Sequence, residues 1–177
     1  MSAPPWPAMA EVAAEPRTGD TDTIGDAARG GAAGIGAINF GPLTDSLGFQ
    51  LRLAQIGAFE EFFAAFAEEG LQPGSFSVLI TIGENPGIRQ GVLANALKIK
   101  RSHMAKIVQG FGEAGLIKRH VPADDRRAVE LTLTGDGHRL VADKMPRFTE
   151  HERASAACLT RDERRTLFAL LRKLNGL

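Results

Sequence analysis

Between Val92 and Leu133 the spacing of apolar residues changes from helical to alternating, and this restricts the fold more than any other feature of the chain. Val92, Leu93 and Leu97 suit a short helix over about residues 89–97. Met104, Ile107, Val108 and Phe111 recur at intervals of three and four, so a second helix, about 100–114, hides that face. Gly115 ends it, and IKRHV and VELTL then read as strands flanking the polar turn PADDRRA. Two short helices that feed a hairpin can share a core in few ways.

Longer helices are expected on either side. Leu43, Leu47, Leu51, Phe59, Phe62, Phe63 and Phe66 keep helical spacing to about residue 68, where Glu68-Glu69-Gly70 closes the helix. Pro73 suits the first turn of a second helix carrying Phe76, Leu79 and Ile80, which Asn85-Pro86-Gly87 breaks. Downstream, Thr134 can cap a fifth helix running to about Ser155. Thr160-Arg161-Asp162-Glu163 forms a capping box for a sixth, with an apolar stripe of Leu167, Leu170, Leu171 and Leu174. The fold class is mainly α (α+β): a winged helix–turn–helix held between N- and C-terminal dimerisation helices. Residues 1–42 are rich in Ala, Gly, Pro, Thr and Asp, and too poor in large apolar side chains to offset the entropy of ordering. They are expected to be a flexible tail, with residues 43–177 as the folded domain. The Gly-rich GGAAGIGAIN within the tail has neither the preceding strand nor the following helix of a phosphate loop.

The formal net charge is zero, yet it is unevenly spread. Residues 1–85 carry three basic side chains against eleven acidic ones, whereas residues 86–127 carry nine against three. A charge run is ordinarily a solvated face. Here it coincides with the two short helices and the hairpin tip, which is what a surface fitted to phosphates requires. On the second short helix, Arg101, Ser102, His103, Lys106 and Gln109 lie away from the apolar face. Arg suits guanine and Gln suits adenine in a major groove, while Lys100 suits a phosphate contact that positions without specifying. At the hairpin tip, Arg126 and Arg127 can enter a minor groove, with Asp125 holding Arg127 by a charge-assisted hydrogen bond.

From about Leu43 to the C-terminus, some 135 residues, the chain resembles the MarR family of transcriptional regulators. The residues that carry the resemblance are Gln90-x-x-Leu93-Ala94-x-x-Leu97, Arg101-Ser102, Gly115-Leu116-Ile117, Asp125-Arg126-Arg127-Ala128 and Leu133-Thr134-x-x-Gly137. The resemblance implies a homodimer that binds double-stranded DNA at a palindromic operator. It also implies a repressor that lets go when a small ligand, commonly an aromatic carboxylate, binds or when a cysteine is oxidised. Three departures stand out. Lys98 occupies a turn position where the family usually has Gly, which requires a Lys at positive φ. Gly110 and Gly112 fall late in the recognition helix, each costing about 1 kcal/mol relative to Ala. The tail is longer than usual.

The resemblance places a ligand pocket between the dimerisation helices and the DNA-binding lobe. Candidate residues there are Arg52 and Gln55, with Phe59, Phe63 and Phe76 as apolar walls. Arg52 can meet a carboxylate or phosphate, or it can pair with an acid such as Asp45 at the dimer interface. The phrase GFQLRLAQ is similar to relatives that answer to hydroxycinnamoyl-coenzyme A thioesters. Cys158, the single cysteine, excludes an intrachain disulfide and is expected to be a small packing residue rather than a redox sensor. MSAPPWPAMAEVAAEP has no basic start or continuous apolar stretch, and no apolar run nears the roughly 18 residues of a membrane span. A cytoplasmic protein with no membrane partner is expected. His103, His120, His138 and His151 do not fall at metal-ligand spacing, and no Ser, Cys or Lys stands in a nucleophile motif. Neither a cofactor nor an enzymatic activity is expected. Alternative readings are a redox-sensing regulator, or a helical protein-interaction module that has lost DNA binding.

Overall fold

The periodicities become six α-helices and three short strands in the computed structural model, which describes residues 38–69 and 71–177. Most of the tail, residues 1–37, and Gly70 lie outside the described residues. A 3-10 turn, Gly41–Asp45, leads into α1 (Leu47–Phe66), whose N-cap Ser46 accepts a hydrogen bond from the Phe49 N–H. The expected second to sixth helices follow as α2 (Pro73–Glu84), α3 (Gln90–Ala96), α4 (Arg101–Glu113), α5 (Gly135–Ala154) and α6 (Arg161–Asn175). The hairpin strands are β2 (Ile117–His120) and β3 (Glu130–Leu133), paired antiparallel with Ile117 opposite Leu133 and His120 opposite Glu130.

The sheet has three strands, not the two expected. Ile88–Arg89 forms β1 on the other side of β3, with Ile88 opposite Leu131 and Arg89 opposite Glu130. Two residues are too few to show an alternating period, so composition hides this strand. It fixes the entry to α3, and the Gln90 N–H extends the pairing by donating to the Val129 carbonyl at 2.8 Å.

The core lies where α2, α3, α4 and β3 meet. Leu79, Ile82, Leu93, Met104, Ile107, Phe111 and Leu131 are fully buried there. Phe62 and Phe66, stacked at 4.5 Å, carry α1 into this core. Phe76 meets Phe148 of α5 edge-on at 5.3 Å, and His151 sets its ring edge against both Phe62 and Phe66 at 5.5 Å. An ionic cluster reinforces the same junction. Glu69 pairs with Lys144 at 3.0 Å and with Arg147, and Arg147 also donates to the Ala65 carbonyl at 2.6 Å. Hydrogen bonds to Asp143 and Glu69 hold the Lys144 ammonium above its usual range.

A second junction ties α4, the hairpin and α5 together. α4 closes with Gly115 at φ 70°, and the Leu116 N–H reaches back to the Phe111 carbonyl at 2.9 Å. Thr134 caps α5 and bonds this turn at the same time. Its N–H donates to the Leu116 carbonyl at 2.9 Å and its hydroxyl to the Gly115 carbonyl at 2.7 Å, while the hydroxyl accepts from the Gly137 N–H at 3.1 Å. Gly137 sits so close to this turn that a Cβ there would lie 2.1 Å from the Leu116 oxygen. The spacing Leu133-Thr134-x-x-Gly137 therefore has a steric cause. At the start of α6, the predicted capping box forms: Thr160 N–H donates to Glu163 Oε2 at 2.8 Å, and Glu163 N–H to Thr160 Oγ1 at 3.3 Å. Hydrogen bonds from Thr160 hold the Glu163 carboxyl below its usual range.

Candidate nucleic-acid interface

α3 and α4 are joined by a tight turn in which the Ile99 N–H donates to the Ala94 carbonyl at 2.9 Å. Closing that turn puts Lys98 at φ 56°, as its place in the sequence requires. α4 begins one residue later than expected, with Lys100 as its N-cap and no side-chain cap of its own. Backbone N–H groups in its first turn are therefore open to an anion. The helix continues without a break through Gly110 and Gly112.

Met104, Ile107, Val108 and Phe111 are buried, which turns the opposite face of α4 outward. Ser102, Lys106 and Gln109 are exposed on that face, and Arg101 is exposed at its start. Gln109 donates through one amide N–H to Glu113 Oε1 at 2.8 Å. His103 is half-buried. Burial, and then the Lys106 charge, hold its imidazole below the usual histidine range, so near neutral pH it is a hydrogen-bonding group rather than a cation.

The β2–β3 hairpin is the wing of the fold, and its tip is organised by Asp125. One carboxylate oxygen accepts from the Arg127 backbone N–H at 3.2 Å, and the other pairs with Arg89 Nη1 at 3.4 Å. The expected bond to Arg127 thus forms through its main chain, leaving the exposed Arg127 guanidinium free of Asp125. Sequence reasoning missed Arg89. It lies 36 residues from Asp125, and only the pairing of β1 with β3 brings the two together. Arg89, Arg101 and Arg127 line one cavity of about 420 Å3 between α3, the start of α4 and the wing. Asp125 is the single acid in its wall. Lys100 and Arg126 are exposed beyond that wall.

The suggested ligand residues separate into two groups. Arg52, Gln55, Phe59 and Phe63 follow one another at intervals of three and four along α1 and are all exposed, Phe59 at 44% and Phe63 at 45%. Phe76 instead is 1% exposed in the core against Phe148, so it cannot wall an open pocket with the others. α1 is apolar around most of its circumference, and the sequence alone therefore did not single out its buried side. Cys158 is also placed differently from expectation: it is exposed in the turn between α5 and α6 instead of packed. Among the described residues, no three His, Cys, Asp or Glu side chains gather as metal ligands, and no helix is long and apolar enough to cross a membrane.

Comparison with known proteins gives this geometry its context. Residues 71–129 match the MarR family. A putative transcriptional regulatory protein for the hcr operon of Thauera aromatica is 36% identical over 135 residues, covering 76% of this chain and 81% of the relative. The HTH-type transcriptional regulator BilQ of Clostridium symbiosum is 31% identical over 121 residues, 66% of this chain and 84% of the relative. Among solved structures, the transcriptional repressor CouR bound to a 23-mer DNA duplex superposes with a TM-score of 0.69 at 33% identity, over 77% of this chain and 97% of that one.

Proposed function

Because the chain belongs to the MarR family of transcriptional regulators, we propose that it is a dimeric repressor gripping a palindromic operator with α4 and the wing. The observation that carries this reading is the meeting of Arg89, Arg101 and Arg127, from three separate elements, around one cleft beside the exposed face of α4. Arg101, Ser102, Lys106 and Gln109, with His103 at the edge, address the major groove, and Lys100 a phosphate. Arg126 and Arg127 address the minor groove, with Asp125 ordering the tip. CouR, a repressor solved on DNA, supports the same use of the fold. A cytoplasmic location accords with this DNA-binding role.

The dimer is formed by α1 and α6. Leu47, Phe59 and Phe63 on α1 are exposed, and so are Leu167, Leu170 and Leu174 on α6, which has no buried residue among the described ones. Apolar surface of this kind is held out of water by a second subunit. The effector is a small aromatic carboxylate or its coenzyme A thioester, received beside α1 with Arg52 and Gln55 meeting its polar end. Such a ligand must favour a dimer whose two recognition helices no longer match the half-sites.

The test is fluorescence anisotropy of the purified protein on DNA from upstream of its own gene, against scrambled DNA, at two salt concentrations and with a panel of aromatic acids and their thioesters. Tight, salt-sensitive binding to the upstream DNA, abolished by one compound, is expected. Equal weak binding to every duplex would remove the operator reading.

A further inference from the structure

A second cavity lies apart from the winged lobe, where the end of α5 meets α6. It measures about 620 Å3, in the range of small-molecule pockets, and five of its nine lining residues are arginines: Arg153, Arg161, Arg164, Arg165 and Arg172. No acidic residue lines it, and the apolar part of its wall is Ala156, Ala157, Leu159 and Phe168. None of these residues belongs to α3, α4 or the wing.

The arrangement follows from the register of α6. At 3.6 residues per turn, Arg161, Arg165 and Arg172 fall within about 40° of one another around the helix axis. The Leu167, Leu170, Leu171 and Leu174 stripe is centred about 150° away. The three arginines thus point away from the stripe, while Arg164 and Phe168, which also line the cavity, fall between them and Leu171.

Like charges crowded round one concavity repel unless something of opposite sign joins them. Arg153 and Arg165 pair with exposed Glu150 and Asp162, at 3.7 and 3.1 Å. Arg161, Arg164 and Arg172 make no ion pair among the described residues. Arg164 is half-buried and lies over the Phe168 ring, 5.6 Å from its centroid, which orders a guanidinium beside an aromatic face. Every cation in the wall is an arginine. The planar fork of a guanidinium matches phosphate oxygens two at a time, whereas a lysine offers only a point charge.

We propose that this cleft binds a small molecule that carries adjacent phosphate groups and, joined to them through a sugar, a flat aromatic ring, the chemistry shared by free nucleoside diphosphates and the nucleotide end of coenzyme A. The arginines take the phosphates, and Phe168 with Leu159 takes the ring. The site is separate from the DNA-binding surface and does not depend on it.

Isothermal titration of the full-length protein at physiological salt, with ADP, coenzyme A and inorganic pyrophosphate in turn, tests this. Saturable binding of ADP or coenzyme A, tighter than pyrophosphate, is expected; ADP alone would identify the free nucleotide as the source, and coenzyme A alone the thioester carrier. Arg161→Gln/Arg165→Gln/Arg172→Gln should weaken that binding at least tenfold, and Arg161→Gln or Arg172→Gln singly should weaken it severalfold with unchanged circular dichroism. Arg101→Gln/Arg127→Gln, which strips the DNA face, should leave it within twofold. Binding lost in the DNA-face variant and kept in the triple variant would overturn the proposal, as would no saturable heat with any of the three compounds. Pyrophosphate binding as tightly as ADP would overturn the assignment of the ring.

Discussion

Asp125 Oδ2 lies 3.4 Å from Arg89 Nη1, so the tip of the wing is latched to the residue that immediately precedes α3. Both side chains are about half exposed, and such a pair contributes only about 0–1 kcal/mol to folding. Under the proposed operator reading, the pair serves to aim the wing. Arg89→Ala should leave the thermal midpoint nearly unchanged, weaken operator binding and flatten its salt slope by about one. Asp125→Asn should weaken binding while keeping the slope. Anisotropy titrations over a salt series would read both, and an Arg89→Ala protein with unaltered affinity and slope removes the latch from the interface.

Gly137 permits no side chain. A methyl group there would meet the Leu116 carbonyl oxygen at 2.1 Å, a backbone atom that cannot swing aside. Gly137→Ala should therefore destabilise the fold by about 2 kcal/mol or more. Urea unfolding monitored by circular dichroism measures it, and a loss under about 0.5 kcal/mol would show that α5 can move away freely.

Lys98 has the opposite sign. Its φ of 56° costs a residue with a Cβ about 1 kcal/mol, offset in part by the greater unfolded-state freedom of glycine. Lys98→Gly should raise stability by roughly 0.5 kcal/mol while removing one charge near the DNA. A urea midpoint that falls would mean that the lysine stem is held by contacts worth more than the strain.

His103 should make operator affinity depend on pH. Its folded pKa is lowered, so its contribution to stability is present above the unfolded value of about 6.5 and is lost as pH falls through the folded value. A nearby DNA phosphate favours the imidazolium and raises the pKa in the complex. Operator binding then takes up protons, and affinity should climb as pH falls from about 7.5 towards the lowered folded value. In His103→Gln this climb should be shallower. Identical pH profiles at constant ionic strength would leave the imidazole without a part in binding.

The proposed effector contact of Arg52 can be tested apart from DNA recognition. Arg52→Ala should bind the operator as before but need at least tenfold more effector for release, read as the midpoint of an anisotropy competition. A normal midpoint would assign Arg52 to the dimer interface or to solvent.

Much of the winged lobe was legible because its apolar periods are clean: Met104, Ile107, Val108 and Phe111 announce α4, and all four are buried. The capping box at Thr160 and the positive φ at Lys98 are likewise local, written in a few adjacent residues. What could not be read depends on long range or on a pattern with no polarity. β1 is two residues long, and the partner of Arg89 is 36 positions away. α1 is apolar on nearly every side, so nothing in the sequence told the buried Phe62 and Phe66 from the exposed Phe59 and Phe63, or set Phe76 apart as core. Cys158 has small neighbours, which suggested packing, but a turn between two helices leaves it uncovered.

The contact of Gly137 with the Leu116 carbonyl also bears on how a signal crosses the molecule. Thr134 is bonded to the turn that ends α4 and to the first turn of α5, and the missing side chain leaves no slack between them. The root of α5 and the end of the recognition helix behave as one lever with its pivot at that turn. The aromatic contacts of α5 with α1 and α2, through Phe148 and His151, lie on the same helix whose first turn is bonded to the end of α4.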